Sequence, residues 1–279
     1  MTVVGEGMTD ADLHELGRFP VLETMISFER LTPARLGKLS LCPNVQRLEF
    51  EDRQDLTTKQ WQALKTQTQI ERLDLTGGGE TRRITNAALR HVAAMRQLRE
   101  LDLRGTSVGD AGVKQLASLT NLEVLDLERT DVGDAGVEFL PSLSKLRRLS
   151  LQGTHVTDAT LRRLLSLKRL TSLDVGRTRI NDPLPVVLKM KGLRSLGLSR
   201  IEAINDDSLP QLAQLPALRE LDLRLTRVTR FRLALFVTQT KWKKVRMRTG
   251  LLEDRECWEI DAFKKFCREH DVFVEVEME

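Results

Sequence analysis

Residues 98–121 read LRELDLRGTSVGDAGVKQLASLTN, and the same frame returns twice directly afterwards. Leu98, Leu101, Leu103, Val108, Val113, Leu116 and Leu119 reappear as Leu122, Leu125, Leu127, Val132, Val137, Leu140 and Leu143. They reappear again as Leu146, Leu149, Leu151, Val156, Leu161, Leu164 and Leu167. A unit of about 24 residues cannot bury its apolar face alone, so successive units must stack into a solenoid with a shared interior.

Each unit changes period halfway. Leu101-Asp102-Leu103 alternates, which puts the leucines on one face of a short strand and the aspartate on the other. Val113, Leu116 and Leu119 are three apart, the stripe of a short helix. Asp110, Asp134 and the pair Thr157-Asp158 stand at the expected helix starts, where a side-chain oxygen can accept from free backbone N–H groups. The expectation is an α/β chain whose strands form one parallel sheet lining a curved inner surface, with helices outside.

Strand starts in the same frame fall at Leu22, Val45, Ile70, Leu98, Leu122, Leu146, Leu170, Leu193, Leu218 and Trp242. On these residues the chain resembles the leucine-rich repeat family, in its bacterial helix-containing form, and is similar in outline to ribonuclease-inhibitor-like and GALA-type repeats. The resemblance implies a right-handed horseshoe solenoid, with a parallel sheet on the concave face and short helices on the convex one. It also implies protein binding on the concave sheet. The chain departs from the family after the strand, where Asn or Cys is usual and Thr106, Thr130, Thr154, Thr178 and Thr226 stand instead. Their hydroxyls are expected to bond the backbone of a neighbouring coil, with fewer partners than an amide has.

The repeats predict one elongated domain without an internal linker. Residues 1–21 read as an N-terminal half-repeat or cap, residues 22–248 as about nine complete coils plus a last strand, and residues 249–279 as a C-terminal cap. In the first segment Met8, Leu13, Leu16 and Phe19 match a helical half, starting at Thr9-Asp10, with no obvious strand upstream. In the last, Cys257, Ile260, Phe263, Phe266 and Cys267 share a helix face, followed by the strand VFVEVEM. TGGGETRRI lengthens one turn and SRIEAIN another. The 279 residues include 4% aromatics and no tyrosine, as suits an aliphatic core. No stretch approaches the ~18 apolar residues of a membrane span. The N-terminus lacks the apolar run of a secretory signal. Three cysteines, with Cys42 on a core position, favour a reducing cytoplasm.

Catalytic chemistry finds no foothold. His14, His91, His155 and His270 lie on different coils without metal-ligand spacing, and no nucleophile motif occurs. Gly77-Gly78-Gly79 lacks the Gly-Lys-Ser/Thr of a phosphate loop. Cys257 and Cys267 lie ten apart on the expected helix, about 15 Å along its axis, too far for a disulfide or a shared metal. The expectation is a non-enzyme with no cofactor and no metal.

The outward strand positions carry the signal instead. One row runs Glu49, Asp74, Asp102, Asp126, Ser150, Asp174, Gly197, Asp222, Arg246, on rungs about 4.8 Å apart. Such an aspartate ladder invites a cationic ligand, whereas Arg99, Arg104, Arg129, Arg147 and Arg177 are placed to neutralise it. Residues 189–248 hold fourteen Lys and Arg against five Asp and Glu, in a chain of net charge +4. Arg194, Arg219, Arg224, Lys243, Lys244, Arg246 and Arg248 are expected on the outward face, where they would attract an acidic partner. Together with Asp102, Asp126, Asp174 and Asp222 they form the candidate binding set. The first functional reading is a non-catalytic module that binds a partly acidic protein. A second is nucleic-acid or polyanion binding through the basic segment, although only Trp242 offers a ring nearby. A third, a substrate-recognition subunit of an effector or ligase-like assembly, rests on the GALA-type resemblance alone.

Overall fold

In the computed structural model the described residues are 2–4, 18, 24–27, 32–50, 56–77, 84–238, 240–248 and 260–277. Leu22, the start of the expected N-terminal helix and Cys257 lie outside them, as does most of TGGGETRRI. The chain divides into two compact units, Met1–Leu146 and Arg147–Glu279.

The first unit carries β1 (Thr2–Val4), β2 (Thr24–Ser27), β3 (Arg47–Phe50), β4 (Arg72–Asp74), β5 (Glu100–Asp102) and β6 (Val124–Asp126). Each pairs in parallel with the next, with Leu48↔Leu73, Leu73↔Leu101 and Leu101↔Leu125 in register. The second carries β7 (Arg148–Ser150), β8 (Ser172–Asp174), β9 (Ser195–Gly197), β10 (Glu220–Asp222), β11 (Lys244–Arg248) and β12 (Phe273–Glu277). These are also parallel neighbours in sequence order. Every expected strand start is followed, two residues on, by a strand. From the frame at Ile70 to that at Trp242 the three apolar positions are buried, as at Leu98, Leu101 and Leu103, which are at most 1% exposed. One element was not expected: β1 is a strand upstream of Leu22, because its Thr-Val-Val sequence has the β-branched residues of a strand without the leucine frame.

The other half of each coil is less regular than the repeat suggests. It forms α1 (Pro33–Gly37), α2 (Thr58–Lys65), α3 (Asn86–Val92), α4 (Asp110–Val113), α5 (Asp158–Arg163), α6 (Leu184–Val187), α7 (Leu209–Leu212) and α8 (Arg230–Val237). The GDAGV sequence gives α4 at 109–113, yet at 133–137 the same five residues form only turns before a short 3-10 segment at Leu140–Ser142. The second copy has Pro141 where the first has Ala117, and a proline has no N–H to continue a helix and crowds the carbonyl four residues back, at Val137. Asp134 therefore starts no helix. Asp110 lies in the first turn of α4, but the N-cap is Gly109, with no side-chain cap. The Asp110 carboxylate instead accepts from the Gly133 N–H of the next coil at 2.6 Å, as Asn86 accepts from Gly109 at 2.8 Å and Asp206 from Thr229 at 2.8 Å. Thr157 does cap its helix, accepting from Ala159.

This cross-coil bridge gives the second glycine of GDAG its role. A Cβ on Gly112 would stand 2.4 Å from Asn86 Oδ1, and one on Gly136 2.4 Å from Asp110 Oδ1. The threonines also act differently from expectation. Thr106, Thr130 and Thr154 donate to the carbonyls of Leu103, Leu127 and Leu151 in their own coil, at 2.6–2.7 Å. At this position the hydroxyl closes the turn after its own strand. Longer amides do the bridging at the other end, with Gln97 donating to the Gln67 carbonyl and Asn121 to that of Arg96.

The C-terminal region has the expected helix and strand. In α9 (Ile260–Glu269), Phe263 and Cys267 are fully buried, and β12 follows. Burial pushes the Cys267 thiol up to about 11, which keeps it protonated, and Cys42 is likewise buried.

Candidate functional site

From β3 to β12 each strand sets two positions on the side away from the core, one on either side of a buried apolar residue, although Gly197 and Asp222 are themselves covered. In the first unit these are Arg47/Glu49, Arg72/Asp74, Glu100/Asp102 and Val124/Asp126, held in register by the parallel ladder. In the second they are Arg148/Ser150, Ser172/Asp174, Ser195/Gly197, Glu220/Asp222, Lys244/Arg246 and Phe273/Glu275.

The aspartate row ends the strands. Asp74, Asp102, Asp126, Asp174 and Asp222 each accept, at 2.9–3.1 Å, from the backbone N–H two residues on. That local bond turns the chain out of the strand. Positive φ follows at Gly105, Arg129, Gly153, Arg177, Arg200 and Leu225.

In the first unit a cleft of about 100 Å³ is lined by Arg47, Arg72, Asp74, Glu100, Asp102, Val124 and Asp126. Arg104 clamps Asp102, with Nη2 2.7 Å from Oδ2, and reaches Asp126 only at 3.6 Å. Burial, and then the charge of Asp102, raise the Asp126 carboxyl from 3.8 to about 7. Among the described residues no group of three or more His, Cys, Asp or Glu is placed to hold a metal ion.

The raised carboxyl has a measurable consequence. Between pH 4 and 7 the folded chain holds a proton that the unfolded chain has lost, so this group's stabilisation is complete below about pH 4 and disappears as pH rises through 7. Asp126→Asn keeps an acceptor for the Glu128 N–H and never ionises. One pH unit is worth about 1.4 kcal/mol, and water still reaches this carboxylate, so the variant should gain on the order of 2 kcal/mol at pH 8. At pH 4 it should gain nothing. Urea melts at the two pH values decide it; equal differences at both would contradict the assignment.

In the second unit the structure brings most of the candidate cations together, already paired. Arg224 grips Asp222 with Nε at 2.9 and 3.0 Å and Nη2 at 2.6 Å. Arg219 donates to the carbonyls of Leu218 and Pro216. Lys243 pairs with Asp271, Lys244 lies 3.9 Å from Glu275, and Arg246 donates to Glu275 at 3.1 Å. Arg194 is exposed. Arg248 pairs with Glu277 in backbone register, and its side chain lies outside the described residues. The sequence reading missed Asp271, Glu275 and Phe273. The alternation in VFVEVEM carried the signal, since burying its valines turns Phe273 and Glu275 outward.

No helix among the described residues is long and apolar enough to cross a membrane. The sequence pattern of a family described as "Leucine Rich repeat" matches residues 95–117 and 118–140. No curated protein matches the sequence. Among solved structures, an internalin C2 from Listeria monocytogenes is 22% identical, with a TM-score of 0.52, over 78% of this chain and 84% of its own. An internalin from the same organism, InlF, is 17% identical, with a TM-score of 0.57, over 97% of this chain and 77% of its own. At these identities the likeness is one of fold.

Proposed function

Because this chain is a leucine-rich repeat protein, we propose that it is a non-catalytic module that grips another protein with the outward face of its sheet. One observation carries this reading: on β3–β8, β11 and β12 the same two positions lie on the outward side in fixed register, while the apolar residue between them is buried. Side chains already ordered on a ladder lose little freedom when a partner docks, so more of the contact energy appears as affinity. The partner is acidic in part where it meets Arg194, Arg219, Lys243, Lys244, Arg246 and Arg248. Arg224 and Asp222 serve the fold through their mutual clamp. Asp102 and Asp126 in the first unit, and Asp174 in the second, offer acceptors on the outward side of their own strands. A polyanion reading is weaker, because Asp271 and Glu275 already stand against Lys243, Lys244 and Arg246.

The test compares partner capture by the wild-type chain and two triple variants of equal charge change. Arg194→Glu/Lys244→Glu/Arg246→Glu alters the sheet face, and Arg162→Glu/Lys189→Glu/Arg232→Glu alters exposed positions on the helical side. The first should lose the partner and the second should keep it. Retention by the first, or loss only by the second, would overturn the reading.

A further inference from the structure

Strand β12 places an aromatic ring where the rest of its unit's outward face is polar. Val272 and Val274 are buried, at 2% and 7% exposure, while Phe273 between them is 58% exposed. The parallel register sets Phe273 beside Lys244 and Glu275 beside Arg246. The Lys244 ammonium lies 5.8 Å from the centre of the Phe273 ring. At the equivalent position the neighbouring strands carry Arg148, Ser172, Ser195 and Glu220, so the fold asks for no ring there. Lys243 and Arg246 flank Lys244 along the chain, and the carboxylate partners of these cations, Asp271 and Glu275, are themselves 86% and 50% exposed. Exposed pairs of this kind contribute little and exchange readily for a competing carboxylate. An exposed ring among exchangeable cations has the composition of a binding hot spot.

We propose that Phe273, Lys244 and Arg246 anchor a protein segment in which a bulky apolar side chain is followed closely by a carboxylate. The proposal rests on the sheet face being the binding face, and names what docks at its C-terminal end. The apolar group covers the Phe273 ring, and the carboxylate takes Lys244 or Arg246 from Glu275. Strands lie about 4.8 Å apart and alternate residues about 6.7 Å apart, so the two partner groups belong within one to three residues of each other. The carboxylates of Glu220 and Glu275 on the same face repel a backbone charged at every unit more than a segment with one carboxylate, which selects a peptide over a nucleic acid.

The test uses the whole chain and labelled twelve-residue peptides, read by fluorescence anisotropy. One peptide carries a leucine flanked by aspartates, one has that leucine replaced by serine, and one is flanked by lysines. A twelve-residue oligothymidine is the fourth probe. The Asp-flanked leucine peptide should bind best. Its affinity should fall about tenfold in Phe273→Ser and again in Lys244→Glu, the scale of a hot-spot truncation. The melting temperature of Phe273→Ser should stay at the wild-type value, because the ring is exposed. Equal binding of the serine peptide or the oligonucleotide, no binding of the leucine peptide, or an unchanged affinity in Phe273→Ser would each overturn the anchor. If the anchor fails while the face variants above still govern partner capture, the face remains and only its C-terminal contact is reassigned.

Discussion

Replacing Arg224 by alanine should cost about 3 kcal/mol of stability, far more than an exposed ion pair is worth. Its partner Asp222 is 5% exposed, and the guanidinium spans both carboxylate oxygens. Without Arg224 the carboxylate keeps the residue-224 N–H at 3.1 Å and loses the guanidinium that neutralises it. Removing one member of a buried pair leaves an uncompensated charge, which typically costs 3–5 kcal/mol. Arg224 is itself a quarter exposed, so the lower end applies. The double variant Arg224→Ala/Asp222→Asn should recover much of the loss, since an asparagine keeps the acceptor without the charge. Denaturant midpoints measure both. A loss below about 1 kcal/mol in the single variant would show that water already solvates Asp222. The same pair explains why reversing Arg224 is a poor probe of binding: the variant would lose stability before it reported on a partner.

Arg224 also marks how far the sequence could be read. The strands were legible because L-x-x-L-x-L states its own register, and each start from Leu22 to Trp242 is followed two residues later by a strand. Polar contacts between coils were not, because a carboxylate and the group it bonds in the next coil lie 23 or more residues apart. Asp110 reads as a local helix cap and bonds Gly133 in the next coil. The threonines read as bridges between coils and serve their own turns. Identical GDAGV segments fold differently because of Pro141. For the candidate site, the charge count of residues 189–248 located the cations, but Asp271 and Glu275 on the far side of the C-terminal helix answer them. Counting charge within a window misses a neighbour that the solenoid supplies from another coil.

Leu125 and Val124, adjacent on β6, isolate the division of each strand into a buried and an outward side. Leu125 is 1% exposed and sits in register with Leu101, whereas Val124 lines the outward cleft. Truncating a buried leucine removes its transfer energy and leaves a cavity, together about 2–5 kcal/mol. Neighbouring coils share that interior, so the loss should lower the whole transition of the first unit. Truncating an outward valine should cost under about 1 kcal/mol. Everything said of the binding face depends on this asymmetry, since a strand shifted by one residue would bury the aspartates and expose the leucines. The decisive measurement is therefore equilibrium unfolding of Leu125→Ala beside Val124→Ala. A loss several times larger for the leucine supports the account, and equal losses, or a larger one for the valine, would contradict it.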